Sequence, residues 1–344
     1  MHPEDPDLRA DATRVDSVHH AFARKVSNLA NAVSRVRGVR DAKAIHDLRV
    51  AARRLEAMLR TWDGVFPARP RTAALRVLRK VRRRFGEARE LEVHVALLEP
   101  HVAAENDAVL RVLQKMRKRL ERRSARAIAR LRPKRLKRVL RRLETPAGEH
   151  ESLGASDPHA FDRARMRARE AGAMAHAAVE LAGEQPDDWT QHEARIAIKK
   201  WRYTIECVDD RSAPANDGRI QLLREIQDSL GAAHDRATLI EAIERFGAEE
   251  NPLALQHVID ALEAEKTAAL EKFESLAASL SEARGAALGR TPRTPPDLPR
   301  PERPAVPLSS ERAPQATERS TAEPATPERW QRMAKWLEES AGKN

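Results

Sequence analysis

Cysteine is nearly absent: Cys207 stands alone in 344 residues, which excludes a disulfide framework and a thiolate zinc site. Aromatic side chains are almost as scarce, with one Tyr, six Phe and five Trp. Proteins that read single-stranded nucleic acid stack bases on aromatic platforms. The composition therefore argues against that class and toward anions that carry phosphates without bases. Nonspecific duplex binding needs only cations and stays open. No apolar run reaches the ~18 residues of a membrane span. The polar, acidic start (Met1-His2-Pro3-Glu4-Asp5-Pro6-Asp7) lacks the apolar region of a secretory signal, so the expected location is the cytoplasm. A Gly-x-x-x-x-Gly-Lys-Ser/Thr phosphate loop is also missing, and strand-like alternation does not occur.

What the chain has in quantity is charge, unevenly spread. Lys and Arg exceed Asp and Glu by 63 to 52, a formal net charge of +11. Residues 109–142 hold sixteen Lys or Arg and one acid, Glu121, whereas residues 203–290 hold nine cations and seventeen acids. Such polarisation focuses field and attracts polyanions.

Helical periodicity dominates. Val15, Val18, Phe22, Val26, Leu29, Val33 and Val36 form an apolar seam at spacings of three and four. Prolines and turn residues punctuate the chain into eight helical segments, near 11–37, 43–62, 71–99, 106–143, 159–183, 188–209, 217–246 and 253–284, with Pro133 expected to kink or split the fourth. Four plus four predicts an all-α fold of two antiparallel four-helix bundles, over 11–145 and 158–286. Residues 291–327 contain ten prolines and are predicted to be a disordered Pro-rich linker. Helical character returns over 328–340, where Trp330, Met333, Ala334 and Leu337 share a face. That short amphipathic helix reads as a docking segment for a protein partner, or alternatively as a helix folding back on the bundle.

The most informative feature is a pattern written twice. His46, Arg49, Arg53 and Arg54 recur as His192, Arg195, Lys199 and Lys200, at an offset of 146, the mark of a duplicated unit. On a helical wheel His46, Arg49, Arg53 and Arg60 fall within roughly 60° of one another, opposite Leu48, Ala52, Leu55, Leu59 and Trp62. His192, Arg195, Lys199, Arg202 and Tyr203 share the matching face of the second copy. Like charges three and four residues apart repel, so an almost purely positive stripe, kept in both copies, points to a bound polyanion. A second repeated element follows each stripe: Phe85-Gly86-Glu87-Ala88-Arg89-Glu90 and Leu230-Gly231-Ala232-Ala233-His234-Asp235. A glycine inside a helical pattern marks a kink or a close helix contact. For the basic–acidic pair after it, a local salt bridge is the simple alternative.

These motifs resemble those of the conserved histidine α-helical domain family, CHAD, over roughly residues 11–286. The family pattern has Asp where this chain has Glu90, and Arg where it has His234. The resemblance implies two four-helix bundles related by a pseudo-twofold axis, and non-enzymatic binding of inorganic polyphosphate. It implies contacts from His46, Arg49, Arg53 and Arg54, from His192, Arg195, Lys199, Lys200 and Arg202, and from the shorter motif's Arg89 and His234. No cofactor and no metal are expected, because neighbouring cations repel a metal from the histidines and no carboxylate cluster joins them. Catalysis is not expected. Nucleic acid bound nonspecifically by residues 109–142 is the alternative reading. Association with polyphosphate granules is the expected consequence of the first.

Overall fold

The structure, a computed structural model, describes residues 6–38, 42–102, 107–143, 159–208 and 214–287. Among these residues every regular element is a helix. In chain order they are α1 (Pro6–Gly38), α2 (Ala42–Thr61), α3 (Ala68–Arg84), α4 (Gly86–Leu98), α5 (Asp107–Ala129), α6 (Pro133–Arg141), α7 (Ala160–Glu184), α8 (Asp188–Val208), α9 (Pro214–Phe246) and α10 (Pro252–Ala287). A 3₁₀ turn, Glu99–His101, follows α4. The chain divides into a compact unit, Met1–Leu280, and a second, Ser281–Asn344, whose described part is the end of α10. The predicted linker at 291–327 and terminal helix at 328–340 lie outside the described residues.

Two of the eight predicted segments are divided, each for a local reason. The segment over 71–99 breaks at Phe85, whose backbone sits at φ −96°, ψ 8° while its ring is wholly buried. The segment over 106–143 breaks where expected. Arg132 is driven out of helical geometry (φ −121°, ψ 77°) by the proline after it, and Pro133 becomes the first residue of α6. At the start of α8 the Thr190 backbone N–H donates to Asp187 Oδ1 at 2.7 Å and the Asp187 N–H donates to Thr190 Oγ1 at 3.2 Å. This reciprocal cap fixes where the second stripe begins.

The apolar seams close core clusters that cross the boundary between the halves. The first joins α1, α2, α3 and α6 around Phe22, Leu29, Leu48, Leu55, Leu59, Leu78 and Leu140, and takes in Ala160 and Ala164 of α7. Truncating such a side chain to alanine costs about 2–5 kcal/mol. The second joins Leu98, Val109, Val112, Leu113 and Met116 to Leu239, Ile243, Val258 and Leu262, so α4 and α5 pack with α9 and α10. The halves interlock instead of abutting.

The same interlocking brings α2 against α8 and α4 against α9. Where α2 and α8 end, the Trp62 indole N–H donates to the Cys207 carbonyl at 3.1 Å. On its other side α8 is backed by α7, whose small residues Ala171, Gly172, Ala175 and Ala178 are buried. A β-carbon at Gly172 would stand 3.0 Å from the Trp201 indole, so the glycine is what admits that ring. The apolar side of α8 is thereby pinned to α7, and its charged side is left facing α2.

Candidate functional site

Packing α2 on α8 brings the two stripes into one site. Arg53 and Lys199, equivalent positions in the two copies, are close enough to act on each other. Burial pushes the Lys199 ammonium well below its ordinary range, and the charges of Arg195, Arg53 and Arg49 push it further against the opposing pull of Asp235. Arg49 is lowered to about 10, by burial first and then by Arg53, Arg82 and Arg89. Cations from both copies therefore raise one another's free energy in a half-buried space. Such an arrangement is relieved by an anion.

The repeated glycines belong to the same construction. The Arg49 guanidinium lies over Gly86, 3.7 Å from where a β-carbon would stand, and Arg195 lies over Gly231 at 3.6 Å. The first motif's arginine thus rests on the second motif's glycine in each copy. The two arginines differ in their further partners. Arg49 Nη1 donates to the Arg82 carbonyl at 2.5 Å, which takes up a carbonyl left free where α3 stops. Arg195 Nη2 lies 3.8 Å from Asp235 Oδ1, and its buried Nε has no hydrogen-bond partner among the described residues.

The shorter motif supplies the flanks. His46 is lowered by partial burial and then by Arg89, with Asp47 opposing. In the second copy the His192 and His234 rings lie 5.5 Å apart, and His234 is lowered to about 4 by burial, Arg195 and Lys199. His46 and His234, both lowered, are neutral at pH 7 and can each donate one N–H to an anion. The acids that follow, Glu90 and Asp235, are raised chiefly by burial. Asp235 also feels Arg195, Arg89 and Lys199, which makes it the internal counter-charge of the site.

Three predicted residues stand apart from this group. Arg202 is buried. It donates to Glu206 Oε1 at 2.7 Å and to Gln227 Oε1 at 3.2 Å, and its guanidinium sits 4.4 Å from the Tyr203 ring centroid. Its side chain is directed to Gln227 of α9, so it is buried and paired where the resemblance implies a ligand contact. Arg54 lies 3.9 Å from Glu206, and Lys200 is on the exposed side of α8. The sequence reading missed Arg82, which sits beside Arg53 and pairs with buried Glu56 at 2.6 Å. Glu56 also holds Arg60 at 3.0 Å, removing that residue from the open stripe. The signal for this was present: Glu56 is the acid among the arginines of the second half of α2, and Arg82 falls in the all-basic last turn of α3.

His94, on α4, belongs to the α4–α9 seam. Its Nε2 lies 3.1 Å from Thr238 Oγ1, and that hydroxyl donates to the His234 carbonyl at 3.0 Å. Nε2 is therefore the donor, and Nδ1 is the bare nitrogen, buried without a partner among the described residues.

A profile of the CHAD domain matches residues 20–244. The chain belongs to the CHAD domain family. A CHAD domain from the plant Ricinus communis, known from its crystal structure, is similar in fold, with a TM-score of 0.57 at 20% identity, over 81% of this chain and 92% of that one. Comparison with curated proteins gives no match. Among the described residues of this CHAD domain, no three His, Cys, Asp or Glu side chains gather into a group that could hold a metal ion. No described helix is long and apolar enough to cross a membrane.

Proposed function

We propose that this CHAD domain is a non-enzymatic binder of inorganic polyphosphate. The observation that carries the reading is the convergence of Arg53 and Lys199, equivalent residues of two copies, with Arg49, Arg195, Arg89 and the neutral histidines around them. Arginine offers bidentate forks to phosphate oxygens and lysine a compact charge. The buried, unpartnered Nε of Arg195 is one donor awaiting such an oxygen. A half-buried site lined this way favours a slender, densely charged chain over a duplex, and Tyr203, the aromatic on the second stripe, is buried and so not placed to stack a base. We further propose that binding recruits the protein to polyphosphate granules in the cytoplasm, and that the segment 328–340 engages a protein partner.

The alternative, nucleic acid on residues 109–142, is weakened on α5. Arg111 and Lys115 pair with Glu250, Arg117 with Glu99, and Arg119 and Arg123 with Glu87. Titration with polyphosphate and with duplex DNA of equal charge at matched salt tests the choice. Polyphosphate is expected to bind more tightly, and equal or tighter DNA binding would overturn the reading.

A further inference from the structure

The basic segment 109–142 divides by helix. While the α5 cations named above are paired, those of α6 make no ion pair among the described residues. Lys134, Arg135, Arg138 and Arg142 are exposed, while Leu136 and Leu140 bury the other side of α6 against the core. Arg135, Arg138 and Arg142, spaced three and four residues apart, make a row about 10 Å long whose members repel.

Two cavities flank this row. One, of about 910 Å³, lies between α6 and the end of α1. Arg37, Arg132, Lys134, Arg135, Arg138 and Arg142 line it, and no acid does among the described residues. The other lies between α6 and α3, lined by Lys80 and Arg84 and again by Arg132 and Arg135. Lys80 and Arg84, two residues before and after Arg82, lie on the other side of α3 from it, and Arg84 Nη1 donates to the Arg130 carbonyl at 2.6 Å. Cations of α3, α6 and the end of α1 thus gather around Arg132 and Arg135, across α3 from Arg82 and the Arg53–Lys199 site.

We propose that α3 and α6 form an outer track that holds the part of a long polyphosphate chain extending beyond the Arg53–Lys199 site. The proposal rests on the function proposed above. A flexible, slender chain leaving the half-buried site can bend around α3 to reach this track, which a stiff duplex cannot do. Each phosphate engaged there releases counterions, so the track adds affinity only for chains long enough to reach it.

The test compares the full chain with an R132Q/R135Q/R138Q/R142Q variant. One ligand is a short polyphosphate that fills only the inner site, and the other is many times longer. The variant is expected to bind the short chain as the parent does and the long chain about tenfold more weakly, with the log–log salt slope reduced by roughly 0.7 per lost contact. An R37Q/K80Q variant, from α1 and α3, is expected to reproduce part of that loss, independently of any effect on α6 folding. Unchanged long-chain binding in both variants overturns the track. So does a loss confined to duplex DNA, which would assign the surface to nucleic acid. An R53E/K199E variant separates the two ideas: if it binds the short chain as the parent does, the inner site is wrong, whatever the α6 variants do.

Discussion

Arg195 lies across Gly231, its Nε and Nη2 each 3.6 Å from the point a β-carbon would occupy. A methyl group fits there in ordinary contact, and a larger side chain does not. Gly231→Ala is therefore expected to leave binding intact and to stabilise α9 by up to ~1 kcal/mol, the helix propensity difference. Gly231→Leu is expected to displace Arg195 and to weaken polyphosphate binding about tenfold, equivalent to ~1.4 kcal/mol, with helix content unchanged by circular dichroism. Parent-like binding by Gly231→Leu would mean that Arg195 does not touch the ligand.

Arg53 faces Lys199 across the two copies, and their repulsion is a cost of the unliganded fold. Arg53→Glu turns that repulsion into attraction. Melting temperature is expected to rise, by the equivalent of about 1 kcal/mol for a partly buried pair, while polyphosphate affinity falls sharply. A variant that loses stability as well as binding would show that Arg53 has a structural role the geometry does not reveal.

Asp235 occupies the cation cluster from within, 3.8 Å from Arg195 Nη2. A phosphate must compete with it. Asp235→Asn is expected to raise polyphosphate affinity several-fold, up to about tenfold, and to lower the melting temperature of the free protein. Weaker binding instead would mean that Asp235 orients Arg195 for the ligand.

Lys199 titrates well below its ordinary value of 10.5 because of burial and Arg195. A bound polyanion draws that value back up. In the window between the free and bound values, binding takes up a proton, so affinity is expected to rise as pH falls. Below 6.5 His46, which is also lowered, adds in the same direction. Lys199→Arg, which stays charged, is expected to flatten the upper part of the profile. An unchanged slope in that variant assigns the proton elsewhere.

His94 is buried, with a bare Nδ1 that no described group meets. Its value is lowered from 6.5 to about 4, by burial and then by Arg245 and His234. The unfolded chain therefore binds a proton that the folded one refuses, and stability is lost as pH falls from 6.5 toward 4. For this group the full loss is about 3 kcal/mol. His94→Phe is expected to narrow the difference between denaturant unfolding free energies at pH 7 and pH 5. No narrowing would place the acid sensitivity on other groups, His234 first.

The helices were legible because each carries its own period. The seam from Val15 to Val36 and the apolar face opposite His46, Arg49 and Arg53 are local patterns, and local patterns survive into the fold. The breaks were legible in proportion to their chemistry. Pro133 announces itself, whereas at Phe85 the only local sign is Gly86 after it, which marks a kink or a close contact without saying which; Arg49 from another helix takes up the Arg82 carbonyl there. The stripe was legible as a stripe. Which of its members stay open was not, because Arg60 and Arg202 are claimed by Glu56, Glu206 and Gln227. Those acceptors are placed by side-chain direction and neighbouring helices, not by spacing.

By itself, then, the sequence determined the all-α class, the duplication, and the pairing of a cationic helix with a glycine-bearing one in each copy. These follow from residue type and periodicity, which act within one helix. Tertiary structure decided that the copies meet face to face at Arg53 and Lys199, that Arg49 and Arg195 lie on Gly86 and Gly231, and that five α5 cations are paired while those of α6 are not, among the described residues. Each of these depends on which helix packs beside which, and that choice was made by burying Leu98 and Met116 against Leu239 and Leu262 across the boundary between the halves. Charge comes to act between residues distant in the chain only after that burial has brought them together.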